Sequence, residues 1–322
     1  MKMFPRILSI VALTALTLAA TPVARAQSPA AKAPASQPAA GVPKAADLPG
    51  FAPIPAGEFT MGDALDGDKD APPHKVSVSA FYMQKTEVTK AQWDEVRAWG
   101  VKNGYTDLPE GNSKAANHPV QSVSWYDVVK WCNARSEKDG LTPCYTVSGV
   151  TYRTGSSDVA VCNWAANGYR LPTEAEWEKA ARDGLSGKRF PWGDTISHEQ
   201  ANFMNYGEEN YQSGSTGPHP LWDSTGDFPY TSPVGSFTPN GYGLYDMAGN
   251  VWEWCWDWYG NYFVTPQTDP CGAVSGEFRI TRGGGWSGGA TLNRTAYRGH
   301  SYFLSSYCDR GLGFRPARSS VP

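Results

Sequence analysis

Helical periodicity of apolar residues is clearest in three short segments, residues 89–100, 124–140 and 173–184. Thr89 can cap the first segment, Ser124 or Trp125 opens the second, and Thr173 with Glu176 three positions later forms the sequence pattern of a capping box in the third. Glycine closes the second and third segments, as is common just beyond a helix C-terminus. We therefore predict three helices at these places and little other long helix.

Strand periodicity, with apolar residues at every second position, occurs mainly in the first half of the chain. Residues 57–63 and 75–88 are predicted as strands on either side of a charged loop, and residues 145–161 as a hairpin that turns at Ser148 and Gly149. After Phe190 the sequence is dominated by Gly, Pro, Asn, Asp and aromatic residues, which predicts irregular structure with short strands.

The composition favours a loop-rich globular domain held together by aromatic packing. The 322 residues include 13 Trp, 34 Gly and 25 Pro, and aromatic residues make up 13% of the chain. Gly and Pro interrupt long regular elements, whereas large rings must be buried. The formal net charge is only -3 and the basic residues form no run along the chain, so we expect no nucleic-acid partner.

The N-terminus is typical of an exported protein. Lys2 and Arg6 precede an apolar run over residues 7–20, and Ala-Arg-Ala at residues 24–26 resembles a cleavage site, so residues 1–26 are predicted to be a signal peptide. The run is shorter than the ~20 residues that cross a bilayer, which favours export over a membrane anchor. We expect a periplasmic or secreted protein with no membrane span in the mature chain, an Ala/Pro-rich linker over residues 27–47, and one domain over residues 48–322.

Six cysteines in an exported chain permit disulfides, and six allow fifteen connectivities that the sequence does not resolve. Cys144 and Cys162 flank the predicted hairpin, where a bridge between its two ends would be easy to form. Buried free thiols are the alternative for the other four cysteines, and the pairing of Cys144 with Cys162 also stays open.

Seven ordered motifs suggest a family. The segment GLYDMAGNVWEW (residues 243–254) interleaves carboxylates with large rings, which is costly unless a cation or a donor network compensates them. With it occur GEFTMGD (57–63), FYMQKTEVT (81–89), HPVQSVSWYDVVKWCNA (118–134), RLPTEAEWEKAAR (170–182), FPWGD (190–194) and RGGGW followed by GLGFRPAR (282–286 and 311–318). Together they resemble the sulfatase-modifying-factor family, which includes the formylglycine-generating enzymes. The resemblance implies a C-type-lectin-like α+β fold, rich in loops and with little regular secondary structure.

The resemblance also implies one or two structural calcium ions. One site would use the side chains of Asp246 and Glu253 and the carbonyls of Gly249 and Val251, with Asn250 nearby. A second would begin at Asn202 and Phe203; its far side is ambiguous, with Asp227 or Asp223 as the carboxylate and Phe228 as a carbonyl donor. Calcium favours such oxygen ligands. The alternative is that these carboxylates accept only backbone N–H groups.

The family's oxidase chemistry is not expected here. Formylglycine-generating enzymes use two cysteines, spaced five apart, that bind copper(I), a metal that requires soft thiolate ligands. Residues 283–301, the corresponding segment, contain no cysteine. The two positions fall on Ser287 or Gly288 and on Leu292 or Asn293. We therefore expect no copper cofactor and assign no catalytic residue.

The same C-terminal segment has the composition of a binding surface, in which aromatic rings alternate with small polar groups. The candidate ligand-binding residues are Ser287, Leu292, Asn293, Arg294, Tyr297, Arg298 and His300. A similar segment forms the diversified surface of the variable proteins of diversity-generating retroelements, which share this fold. An ordinary polar loop is the alternative.

The sequence thus favours a calcium-stabilised domain that binds a peptide, protein or small molecule, or that has a maturation activity without thiols. The competing function is a formylglycine-generating oxidase acting on sulfatase cysteines. The five histidines are dispersed, with no spacing that builds a zinc or iron site. Arg170 and Arg315 lie beside aromatic residues and are expected to form structural pairs with Glu174, Glu176 or Glu253.

Overall fold

The three predicted helices are present, and each begins with a capping box. The computed structural model describes residues 48–67, 69–223, 229–300 and 303–320; the predicted signal peptide and linker lie outside these ranges. Helix α1 spans Lys90–Gly100, α2 spans Trp125–Lys138 and α3 spans Glu174–Arg182, with Thr89, Ser124 and Thr173 as their N-caps. A four-residue helix, α4 (Pro220–Asp223), was not predicted. No helix in these ranges is long and apolar enough to cross a membrane.

The strands are short and form four small sheets, which confirms the α+β class. They are β1 (Phe51–Ile54), β2 (Gly57–Met61), β3 (His74–Val78), β4 (Phe81–Gln84), β5 (Tyr145–Val147), β6 (Val150–Thr151), β7 (Val161–Cys162), β8 (Tyr169–Arg170), β9 (Trp252–Trp258), β10 (Gln267–Thr268), β11 (Arg279–Arg282), β12 (Leu312–Gly313) and β13 (Ala317–Ser319). The sheet orders are β1-β4-β13-β8, β10-β3-β2, β11-β9-β12 and β6-β5-β7.

The longest strand, β9, was not predicted as a strand. It is the middle strand of its sheet, antiparallel to β11 and parallel to β12. Trp254 is fully buried, and the carboxylates of Glu253 and Asp257 also point into the protein interior. Polar residues in β9 therefore face buried partners rather than solvent, and these partners are described below.

The predicted hairpin is present, but it carries no disulfide. Strands β5, β6 and β7 pair antiparallel, and none of the six cysteines, all of which lie in the described residues, forms a disulfide. Cys162 is the register partner of Tyr145. Cys144 precedes β5, and its carbonyl accepts the Asn163 amide at 2.8 Å, so it is offset by one residue from Cys162. The predicted bridge between these two cysteines is absent.

Tryptophan rings fill the centre of the molecule. Trp93 stacks on Trp131 with ring centroids 5.9 Å apart, and both contact the ring of Phe314 near the C-terminus. Trp177 from α3 is also fully buried, in a second cluster with strands β1 to β4. These contacts join residues from distant parts of the chain, which is how a fold with short elements obtains a core.

Candidate functional site

The segment after β11 folds back on itself around one glycine. Gly284 has φ +72°, and a Cβ at this position would lie 2.4 Å from Asn293 Oδ1. The fully buried Asn293 amide donates to the carbonyls of Gly288 (3.1 Å) and Gly289 (2.6 Å), next to the 3-10 helix Ala290–Asn293. Only glycine permits this close approach. Asn293 thus stabilises the loop rather than presenting its side chain on the surface.

Two of the four positions expected for the thiol pair, Gly288 and Leu292, are adjacent in space, although they are four residues apart in the chain rather than five. A Cβ built on Gly288 would lie 3.3 Å from Leu292 Cδ1 and 3.4 Å from Leu292 Cβ. Ser287 is exposed and Leu292 is partly buried. The loop therefore keeps a geometry in which two short side chains could meet, but these side chains contain no sulfur. Cys308, the next cysteine along the chain, is exposed, whereas the other five cysteines are buried.

The two arginines of the candidate ligand-binding set are buried in ion pairs. Arg294 donates to Asp63 at 2.7 Å, and Arg298 donates to both oxygens of Glu174 at 2.7 and 3.0 Å. Both guanidinium groups are almost inaccessible to solvent. They hold the loop to β2 and α3, so neither presents a free cation to a ligand.

Tyr297 and His300 are partly exposed and contact neighbouring aromatic rings. Tyr297 lies against Trp252, with centroids 5.9 Å apart, and His300 stacks on Tyr259 at 3.8 Å. His300 Nε2 is also 3.4 Å from a carboxylate oxygen of Asp70. The candidate ligand-binding residues are therefore divided into two parts. One part has access to solvent, and the other is buried and anchors the loop: Ser287, Leu292, Tyr297 and His300 belong to the first, and Asn293, Arg294 and Arg298 to the second.

The first expected calcium group contains one free oxygen and one carboxylate that is already paired. Asp246 accepts the Gly235 amide at 2.6 Å through Oδ2, while its buried Oδ1 has no hydrogen-bond partner within the described ranges. Burial raises the pKa of Asp246 to about 6, and burial together with Asp246 raises the pKa of Glu87 beside it. In contrast, both oxygens of Glu253 accept hydrogen bonds from Arg315, and Trp177 donates to one of them.

The second expected group also contains a buried oxygen without a partner. Asn202 donates its amide to the Tyr230 carbonyl at 2.8 Å, and its Oδ1 has no hydrogen-bond partner in the described part of the chain. The Phe203 carbonyl lies 3.1 Å from His198 Nε2. Asp227 and Phe228 lie outside the described residues, as does the side chain of Asp223. A hard cation would satisfy orphan oxygens of this kind.

Metal-ligating side chains of other types do not converge. Within the ranges described, no group of three or more His, Cys, Asp or Glu residues is placed to hold a metal ion. His198 and His219, 21 positions apart, do come together, with ring centroids 5.1 Å apart and His219 Nε2 at 2.7 Å from the His198 carbonyl. Burial lowers the pKa of both, so they are neutral packing residues at pH 7.

A cavity of about 590 Å³ opens beside the buried end of the loop. Its walls come from residues 257–275 and from α3, with Met61, His74 and Arg298 completing them. Arg298 is the one candidate ligand-binding residue in this lining. The sequence did not indicate the cavity, because Glu174 and Asp257, which line it, belong to separate motifs and meet only in the fold.

The family profile described as "Sulfatase-modifying factor enzyme 1-like domain" matches residues 37–320. The chain belongs to the sulfatase-modifying-factor family. It is 35% identical over 300 residues to a formylglycine-generating enzyme of Mus musculus, covering 87% of this chain and 78% of that protein. It is 30% identical over 292 residues to a Mus musculus protein named inactive C-alpha-formylglycine-generating enzyme 2, covering 84% of this chain and 86% of that protein.

The same family fold is found among solved structures. Treponema denticola variable protein 1 superposes with a TM-score of 0.65 at 29% identity, covering 84% of this chain and 94% of that chain. The expected fold class is therefore confirmed at the level of both sequence and structure. Arg170 and Arg315 also form the expected structural pairs, with Glu176 and Glu253 respectively.

Proposed function

We propose that this chain is a ligand-binding member of the sulfatase-modifying-factor family that does not carry out copper-dependent cysteine oxidation. The observation that carries the proposal is the segment from 283 to 301, which contains no cysteine at Ser287 or Gly288, at Leu292 or Asn293, or at any other position. Hydroxyl, hydrogen and hydrocarbon groups cannot bind copper(I) as two thiolates do.

The remaining thiols do not supply a substitute pair. Cys308 is exposed but alone, and burial raises the pKa of Cys132, Cys144, Cys162 and Cys255. A buried thiol of raised pKa is a poor source of thiolate. One relative's own name calls it inactive, which supports the view that membership of the family does not require oxidase activity.

The ligand we propose is a peptide or small molecule, and the surface that supports its binding is the exposed part of the loop at Ser287, Leu292 and Tyr297. We also propose calcium as a structural cofactor. The orphan oxygen of Asp246 would serve the first expected site and that of Asn202 the second, whereas Glu253 serves Arg315. When bound, calcium would compensate buried carboxylate and amide oxygens; it would take no part in a reaction. The N-terminal residue pattern supports export to the periplasm or beyond.

The test is formylglycine formation in a cysteine-containing sulfatase peptide, followed by mass spectrometry in the presence of copper and oxygen. We expect no conversion by the purified chain, while a formylglycine-generating enzyme assayed in parallel converts the same peptide. Robust conversion of the peptide by the wild-type chain would overturn the proposal and favour the oxidase function. That function is the second candidate because the chain is 35% identical to a mouse formylglycine-generating enzyme.

A further inference from the structure

The cavity of about 590 Å³ has in its wall one carboxyl group, that of Asp257, without a directly paired cation among the described residues. Asp257, at the end of β9, is only 3% exposed and accepts one hydrogen bond, from the Glu174 amide to Oδ2 at 2.8 Å. It forms no ion pair with a described residue. Gly272 (φ +79°) passes so close that a Cβ there would lie 2.7 Å from Asp257 Cβ, so the loop over the carboxylate requires glycine.

The other charges in the cavity wall neutralise each other. Glu174 accepts both donors of Arg298 and the Tyr262 hydroxyl at 2.9 Å. Arg298 also donates to the carbonyls of Asp70 and Gly260. The guanidinium group is thus saturated, and the cavity offers no free cation for an anionic ligand. Asp257 is the carboxyl group of this wall that has no directly paired cation among the described residues.

The rest of the wall combines hydrocarbon surface with neutral polar groups. Met61, Ala175, Phe263, Pro270, Ala273 and Val274 contribute the hydrocarbon surface, and Asn261, Gln267 and Ser275 contribute polar side chains. Among the described residues, no three His, Cys, Asp or Glu side chains are grouped here to hold a metal ion. A volume of this size lies in the range of small-molecule sites, which are mainly apolar with a few fixed polar groups.

We propose that this cavity binds an organic primary amine in its ammonium form, with the ammonium group on Asp257 and an apolar body against Phe263 and Val274. The proposal does not depend on the absence of oxidase activity, because it uses different residues from the loop at Ser287 and Leu292. Burial and the neighbouring Glu174 carboxylate raise the pKa of Asp257. A bound ammonium would relieve that penalty, since an opposite charge stabilises a buried carboxylate.

The experiment is isothermal titration calorimetry of the full mature chain with three probes of similar shape: 2-phenylethylamine, 2-phenylethanol and 3-phenylpropionate. We expect saturable binding of the amine, at least about tenfold tighter than that of the neutral alcohol or the anion. The proposal is overturned if the alcohol or the carboxylate binds as tightly as the amine, or if the amine shows no saturable binding.

Two variants locate the site. Asp257→Asn keeps an acceptor for the Glu174 amide, and we expect it to abolish the preference for the amine over the alcohol. Glu58→Gln removes the same charge from an exposed ion pair with Lys75 and should leave the preference unchanged. Phe263→Ala, at a side chain that is 38% exposed, leaves the core intact and should weaken amine binding several-fold. Unchanged amine affinity in both cavity variants would overturn the assignment of the site.

Discussion

Glu253 and Arg315 form a bidentate ion pair in which neither side chain is accessible to solvent. Arg315 Nε donates to Glu253 Oε2 at 2.7 Å and Nη2 donates to Oε1 at 2.6 Å. Arg315 also donates to the carbonyls of Lys85 and Tyr245. The pair therefore joins the C-terminal segment to the central strand β9 and to the turn after β4.

Breaking this pair should be costly, because it leaves a buried charge without its partner. We expect Arg315→Met and Glu253→Gln each to lower the free energy of unfolding by about 3–5 kcal/mol. The double variant should lose much less than the sum of the two, because neither charge is then left alone. Chemical denaturation measures all three. Additive losses in the double variant would contradict a direct coupling between these side chains.

Calcium should stabilise the chain through Asn202. We expect calcium to raise the melting temperature of the EDTA-treated protein, because a ligand that binds only the folded state stabilises it by mass action. Asn202→Ala removes the orphan oxygen and should abolish the increment. Differential scanning fluorimetry with and without calcium provides the measurement.

Asn205 provides the matched control for that experiment. It is buried like Asn202, but its amide donates to the carbonyls of Ser213 and Ser215 and its oxygen accepts the Gly207 amide. Asn205→Ala should lower the melting temperature while leaving the calcium increment intact. Calcium binding through Asn202 would be contradicted if calcium raised the melting temperature of Asn202→Ala as much as that of wild type. It would also be contradicted if calcium did not change the melting temperature of wild type.

His118 should make the fold sensitive to mild acid. Burial, and then the charge of Lys114, lower the pKa of His118 from 6.5 to about 4. The unfolded chain therefore binds a proton before the folded chain does, so this contribution to stability is complete above pH 6.5 and is lost as the pH falls towards 4. Wild type should lose up to about 3 kcal/mol more than His118→Gln over this interval. The free energy of unfolding of both proteins is measured by chemical denaturation at pH 6.5 and pH 4. Equal decreases in wild type and His118→Gln would contradict this role of His118.

The sequence predicted the helices well because their signals are local. Each helix begins with a capping box within four residues; the box at Thr173 was predicted, and Thr89 and Ser124 form the same pattern of hydrogen bonds. Strand β9 was missed because its residues do not alternate between apolar buried and polar exposed positions: the carboxylates of Glu253 and Asp257 are buried, as is Trp254. Their partners, Arg315 and the N-terminus of α3, lie 62 and 83 positions away, so local sequence could not reveal them.

The candidate site was predicted only in part. The resemblance located the loop and the alternative positions for each thiol, of which Gly288 and Leu292 are adjacent in space. Composition alone suggested a continuous polar surface, yet Arg294 and Arg298 are buried because Asp63 and Glu174, which are distant in sequence, attract them. The cavity beside Asp257 has no sequence signal, because its wall is assembled from several loops.

A copper(I) titration against a competing chelator tests the central claim most directly. The wild-type chain should not compete for copper(I). The double variant Gly288→Cys/Leu292→Cys should acquire tight binding, because the two Cβ atoms would lie about 3.4 Å apart and the shorter side chain at 292 relieves the contact with the new one. Tight, stoichiometric copper(I) binding by the wild-type chain would contradict the account.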